Sequence, residues 1–85
     1  MSALEREVQQ LREALSSRIV IEQAKGVLAE RFQLEIDPAF ELLRRAARSE
    51  RMLIHQLAAE VVAGRQSPAP IERLAPKWEA GTGGH

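Results

Sequence analysis

Apolar side chains recur at helical spacing along most of this chain, and the first long stretch carries two such stripes. Between Ala3 and Phe32 there is no Pro and the only Gly is Gly26, which predicts one helix of roughly 30 residues. At about 100° per residue, Leu4, Val8, Leu11 and Leu15 line one side of that cylinder, whereas Val20, Ile21, Ala24, Val27 and Leu28 centre on the roughly opposite side. One core cannot take both. The second stripe is expected to pack inside the domain. The first, with alternating four- and three-residue steps, is expected to form a short coiled-coil seam with a second copy. Carried forward, the seam passes Ile19, Glu22, Gly26 and Ala29. Gly26 costs about 1 kcal/mol relative to Ala in a helix interior, which makes sense if two backbones approach closely there.

Gln33-Leu34-Glu35-Ile36 reads as a connector, and Asp37-Pro38 as the start of a second helix running to about Arg48. The Asp37 carboxylate can accept from free backbone N–H groups, and Pro38 suits the first helical position because its missing N–H is not needed there. Ala39, Phe40, Leu43, Ala46 and Ala47 make the buried stripe of this helix, with Glu41, Arg44, Arg45 and Arg48 on the far side. Ser49 is placed to cap a third helix from about Glu50 to Ala63, with Ile54, Leu57, Ala58 and Val61 facing inward and Gly64 as the stop. From Arg65 on, Pro68, Pro70, Pro76, Gly81, Gly83 and Gly84 interrupt any pattern. Residues 65–85 therefore read as a disordered tail, in which Ile71, Leu74 and Trp78 form at most a weak apolar cluster.

The expected architecture is all-α: a three-helix bundle whose long first helix extends over residues 1–16 as a short coiled coil. With 85 residues the core is modest, and dimerisation would add stability. Two Phe, one Trp and no Tyr leave the packing to aliphatic side chains. Twelve Lys and Arg balance twelve Asp and Glu, so a nucleic-acid partner must be argued from local clustering rather than from a global basic field. Cysteine is absent, which fits a reducing cytoplasm and removes thiol catalysis and thiolate metal sites. There is no apolar leader and no run of about 18 apolar residues. The sequence thus points to a soluble cytoplasmic protein.

Enzymatic chemistry finds no support in the inventory. His55 is the only histidine in the expected folded region, no motif pairs it with a Ser or Asp, and it reads as a surface residue beside the helix 3 stripe. His85 stands at the far end of the tail, so no metal set forms, and the isolated Gly26 is no phosphate loop. No catalytic residue, metal, cofactor or small-molecule substrate is expected. What remains is the arginine face of helix 2 with Arg18 and Lys25 of helix 1. A guanidinium grips phosphate bidentately and stacks on unpaired bases, although such clusters amid acids are commonly solvated, salt-bridged faces.

Beyond periodicity, the wording of the helices is specific. Ser17-Arg18, Ile21-x-x-Ala24-Lys25-Gly26-x-Leu28, Ala39-Phe40-x-x-Leu43-Arg44-x-x-Ala47-Arg48-Ser49 and Ile54-x-x-Leu57-Ala58-x-x-Val61-Val62 together resemble the ANTAR domain family. The resemblance covers about Ala14 to Gly64. It departs at Ala29, where the family often has Met, and at Arg51, where it often has Asn; the second departure leaves the cap of helix 3 to Ser49.

What the resemblance implies is a three-helix RNA-binding module of transcription antitermination, which binds hairpins in nascent transcripts and keeps a terminator from forming. Arg18, Lys25, Arg44 and Arg48 match basic positions of the family pattern, and Arg45 adds charge beside them. A homodimer joined along Leu4, Val8, Leu11, Leu15 and Ile19 would present two such faces to two hairpins. Its strands could run parallel or antiparallel. Regulators of this kind usually carry a receiver or ligand-sensing domain on the N-terminal side. A stand-alone module controlled by a separate sensor protein and a piece of a longer regulator are both open readings. Two alternatives remain: a coiled-coil interaction module without nucleic acid, and a DNA-binding output domain, which the neutral charge and the mid-helix placement of the arginines disfavour.

Overall fold

A computed structural model describes residues 2–76, and within them the chain is entirely helical apart from connectors. Four helices follow one another: α1 (Ala3–Phe32), α2 (Ile36–Ser49), α3 (Ile54–Ala63) and α4 (Ala69–Leu74). α1 packs on α2 and α3, which also touch each other, and α4 packs on α2. The architecture is the all-α bundle expected, with one helix more.

α1 is one continuous helix, as its lack of breakers predicts. Ser2 caps it: the Glu5 N–H donates to the Ser2 Oγ at 3.2 Å, and that hydroxyl donates to the Glu5 carboxylate at 3.1 Å. At the other end Gln33 takes a left-handed conformation (φ 56°), and the Leu34 N–H closes the turn on the Ala29 carbonyl at 2.8 Å. Every residue from Ser2 to Ser16 is exposed, whereas Ala24 and Leu28 are fully buried. The two stripes thus separate as the periodicity requires. Gly26 is exposed, and a Cβ placed there would meet nothing within 4 Å, so within one chain no backbone approaches it.

The core unites Ala24 and Leu28 of α1 with Ala39, Leu42, Leu43, Ala46 and Ala47 of α2, Leu57, Ala58 and Val61 of α3, and Ile71 and Ala75 around α4. Its many alanines let the helix axes approach, and Leu28, Leu43, Leu57, Val61 and Ile71 fill the space between. Leu42 lay outside the expected stripe of helix 2; it is buried on the side where α4 docks.

Three helix ends differ from expectation. α2 begins at Ile36 rather than Pro38, and no side chain caps it; Pro38 is its third residue, where the backbone N–H still has no partner inside the helix. α2 runs through Ser49, so Ser49 does not cap α3, which starts at Ile54 behind Leu53 without a side-chain cap. Between them Arg51 adopts φ 55°, and the Met52 N–H donates to the Ala47 carbonyl at 3.0 Å. Position 51 thus ends α2 in the left-handed region that Asn tolerates better than Arg.

The expectation of a disordered tail from Arg65 fails for residues 65–76. Pro68 stands as the N-cap of α4 and Pro70 lies in its first turn, positions at which proline forfeits no hydrogen bond. Ile71 is fully buried and Ala75 nearly so. Arg31 of α1 fastens the connector, donating to the Ser67 Oγ at 2.9 Å and to the Gly64 carbonyl at 3.1 Å. Gly64 stops α3 as expected, and space is the reason: a Cβ there would lie 3.0 Å from the Gln66 carbonyl oxygen. Trp78 and His85 lie outside the described residues.

Candidate nucleic-acid interface

The outward side of α2 carries Arg44, Arg45 and Arg48, all exposed. Arg44 is engaged with Glu41 through one guanidinium edge, Nη2 donating to Oε1 at 2.7 Å and Nε to Oε2 at 3.2 Å. The fork arises from i,i+3 spacing on one helix face. Hydrogen bonding from Arg44 holds the Glu41 carboxyl below its ordinary value against a desolvation cost, and the charges of Arg44, Arg48 and Arg45 add to the effect. The same bond raises Arg44 above its ordinary value. Among the described residues, no salt bridge engages Arg45 or Arg48.

Lys25 reaches this face from α1. Its Nζ lies 3.1 Å from the Glu22 carboxylate and 5.2 Å from the centroid of the Phe40 ring. Its side chain is only 16% exposed, so the aliphatic stem packs while the ammonium emerges at the edge. Phe40, expected in the core stripe, is half-buried at the border between core and polar face. The structure therefore brings Lys25 and α2 together. Arg18 is exposed seven residues earlier on α1, on nearly the same side as Lys25 but about two turns away along the axis.

Sequence reasoning missed what α4 adds. Arg45, Arg48, Ser49 and Leu74 surround a shallow depression of about 340 Å³ between α2 and α4. Beside it, the Arg73 guanidinium donates to the Ser49 Oγ at 3.2 Å and to the Glu50 carboxylate at 3.0 Å. Nothing in the sequence marked Arg73, and Leu74 stood out only as part of a weak apolar cluster, because proline-broken segments give no periodicity from which to read a face.

The stripe intended for the seam is exposed throughout: Leu4 70%, Val8 41%, Leu11 71%, Leu15 60% and Ile19 49%. A continuous row of large apolar side chains on one helix is unusual for a surface with no partner. His55 is half-buried near the start of α3, beside Ser16 and Ser17 of α1. Among the described residues, no three His, Cys, Asp or Glu side chains gather as a metal site would require, and no helix is long and apolar enough to cross a membrane.

Exposed guanidiniums, an ammonium held over an aromatic ring and a shallow depression with one apolar wall suit recognition of an anionic polymer. The ANTAR domain family model matches residues 9–62, which span α1 from its first third through α3 and stop short of α4. No curated protein and no solved structure matches the chain.

Proposed function

The chain belongs to the ANTAR domain family, a family of RNA-binding antitermination regulators and not of enzymes, and from that premise we propose that it binds hairpin loops of nascent leader RNA as a homodimer in the cytoplasm. The observation that carries this reading is the joint face of α2 and α1: Arg44, Arg45 and Arg48 stand exposed on one helix, and Lys25 is fastened beside them through Phe40. Hairpins suit such a face because their loops splay bases toward side chains while the stem offers phosphates. Arg18 extends the contact along α1 toward the stem. The exposed row from Leu4 to Ile19 pairs two chains, so that two hairpins are engaged together and a competing terminator stem is kept from forming. Control comes from a separate sensor protein or from a sensing domain of a longer chain.

Binding of the purified protein to a two-hairpin leader RNA, against duplex DNA of equal charge, tests the reading. Tight, salt-sensitive binding to the RNA over the duplex is the expected result. Equal binding to both would leave only nonspecific electrostatics, and no binding to either, with a stable dimer, would favour a coiled-coil interaction module.

A further inference from the structure

Arg45, Arg48 and Ser49 stand at i, i+3 and i+4 on α2, so their side chains converge on one patch. α4 closes that patch on the other side with Leu74. The result is a depression with two cationic groups at its rim, an apolar wall and a hydroxyl. It is shallow and open to solvent, about 340 Å³ in volume. Ser49 Oγ accepts from Arg73, and its own hydrogen is free to rotate toward an acceptor.

We propose that this depression is a subsite for a single unpaired nucleotide of the bound RNA, built jointly by α2 and by a helix that lies beyond the family match at residues 9–62. Arg45 and Arg48 grip the phosphate. The base lies against the Leu74 side chain, and the Ser49 hydroxyl donates to a base or ribose acceptor. Continuity with the arginine face of α2 selects RNA as the occupant, since the nucleotide arrives as part of a strand already held by Arg44 and Lys25. The inference rests on the RNA-binding reading above and adds a specificity element to it, because an apolar wall beside a hydroxyl distinguishes a base from bare backbone.

The test uses the full chain and a hairpin RNA, together with a series in which each loop nucleotide in turn is made abasic. Against wild type, removal of one particular base is expected to weaken binding by roughly five- to tenfold, the low range of a base contact. In Leu74→Ala the same abasic substitution has no further effect, because the wall that felt the base is gone. Identical abasic profiles for wild type and Leu74→Ala overturn the subsite. Should melting show that Leu74→Ala loses α4, Ser49→Ala on the exposed side of α2 carries the test alone, with a smaller abasic effect than in wild type expected and an unchanged profile overturning it. Wild type that binds the hairpin without any such coupling removes the subsite and leaves the RNA reading standing. Wild type that binds no hairpin removes both.

Discussion

The ammonium of Lys25 sits over the face of Phe40, 5.2 Å from the ring centroid, while its other contact is Glu22 one turn back on its own helix. A cation of the candidate RNA face therefore also fastens α1 to α2. Arg44 and Arg48 have no such second role, since both project from α2 into solvent. Lys25→Ala is expected to lower stability by about 0.5–1 kcal/mol through the lost cation–π contact, besides weakening RNA binding. Lys25→Met keeps the packed stem and removes the charge. Both variants should lower the log–log salt slope of RNA binding by about 0.7–0.9 if Lys25 touches one phosphate, and melting curves should fall further for Ala than for Met.

Glu41 occupies one edge of the Arg44 guanidinium and sets a negative charge where RNA phosphate would approach. Glu41→Gln is therefore expected to strengthen hairpin binding by roughly two- to fivefold, the scale of one exposed ion pair, with no visible change in circular dichroism. The pH dependence has a defined sign. Because the folded carboxyl lies below its ordinary range, the small stabilisation by this bridge is present above the carboxylate's unfolded pKa and is lost as pH falls through the folded value. Acid titration of melting temperature should show that slope in wild type and a shallower one in Glu41→Gln.

Leu11 and Leu15 are 71% and 60% exposed on the side of α1 that faces away from the core. Replacing either by Glu should abolish pairing of two chains without lowering helix content, because no intrachain contact is removed. Sedimentation equilibrium decides it: a wild type that stays monomeric at tens of micromolar, by order of magnitude, would dismiss the seam.

Ile71 is fully buried against α2, so Ile71→Ala should destabilise the fold by about 2–5 kcal/mol. In a chain of this size each kcal/mol lowers the melting temperature by roughly 4–8 °C. Truncation after Ser67 should produce a loss at least as large, visible in urea titration. Unchanged midpoints in both variants would mean that α4 rests on the domain without stabilising it.

Helical periodicity reveals the inner and outer faces of α1 because a single unbroken segment of that length samples the 3.6-residue repeat many times. The core positions Ala24, Leu28, Leu43, Ala46, Leu57 and Val61 follow from the same repeat. Leu42 does not, since it is buried on a flank of α2 where a fourth helix docks. That helix was illegible because Pro68 and Pro70 read as breakers, although at a helix start they cost nothing. The arginine face was visible as composition, but its pairings were not: that Arg44 is tied to Glu41 while Arg45 and Arg48 border a depression depends on rotamers and on α4. Arg51 shows a different limit. Its departure from the family's Asn suggested a missing cap, whereas its positive φ makes it a backbone matter at the end of α2.

α4 is six residues long, too short to persist as a helix in water by itself. Its order is therefore borrowed from the surface of α2, and its amide hydrogens report on that loan. The Ile71 and Glu72 N–H groups both donate to the Pro68 carbonyl, at 2.9 and 3.1 Å, and the Ala75 N–H donates to the Ile71 carbonyl at 2.8 Å. Their exchange with deuterated solvent requires the helix to lift off, so the protection factors at these sites measure the docking equilibrium apart from global unfolding. A ligand lodged beside Leu74 slows that exchange, and one that displaces the segment accelerates it.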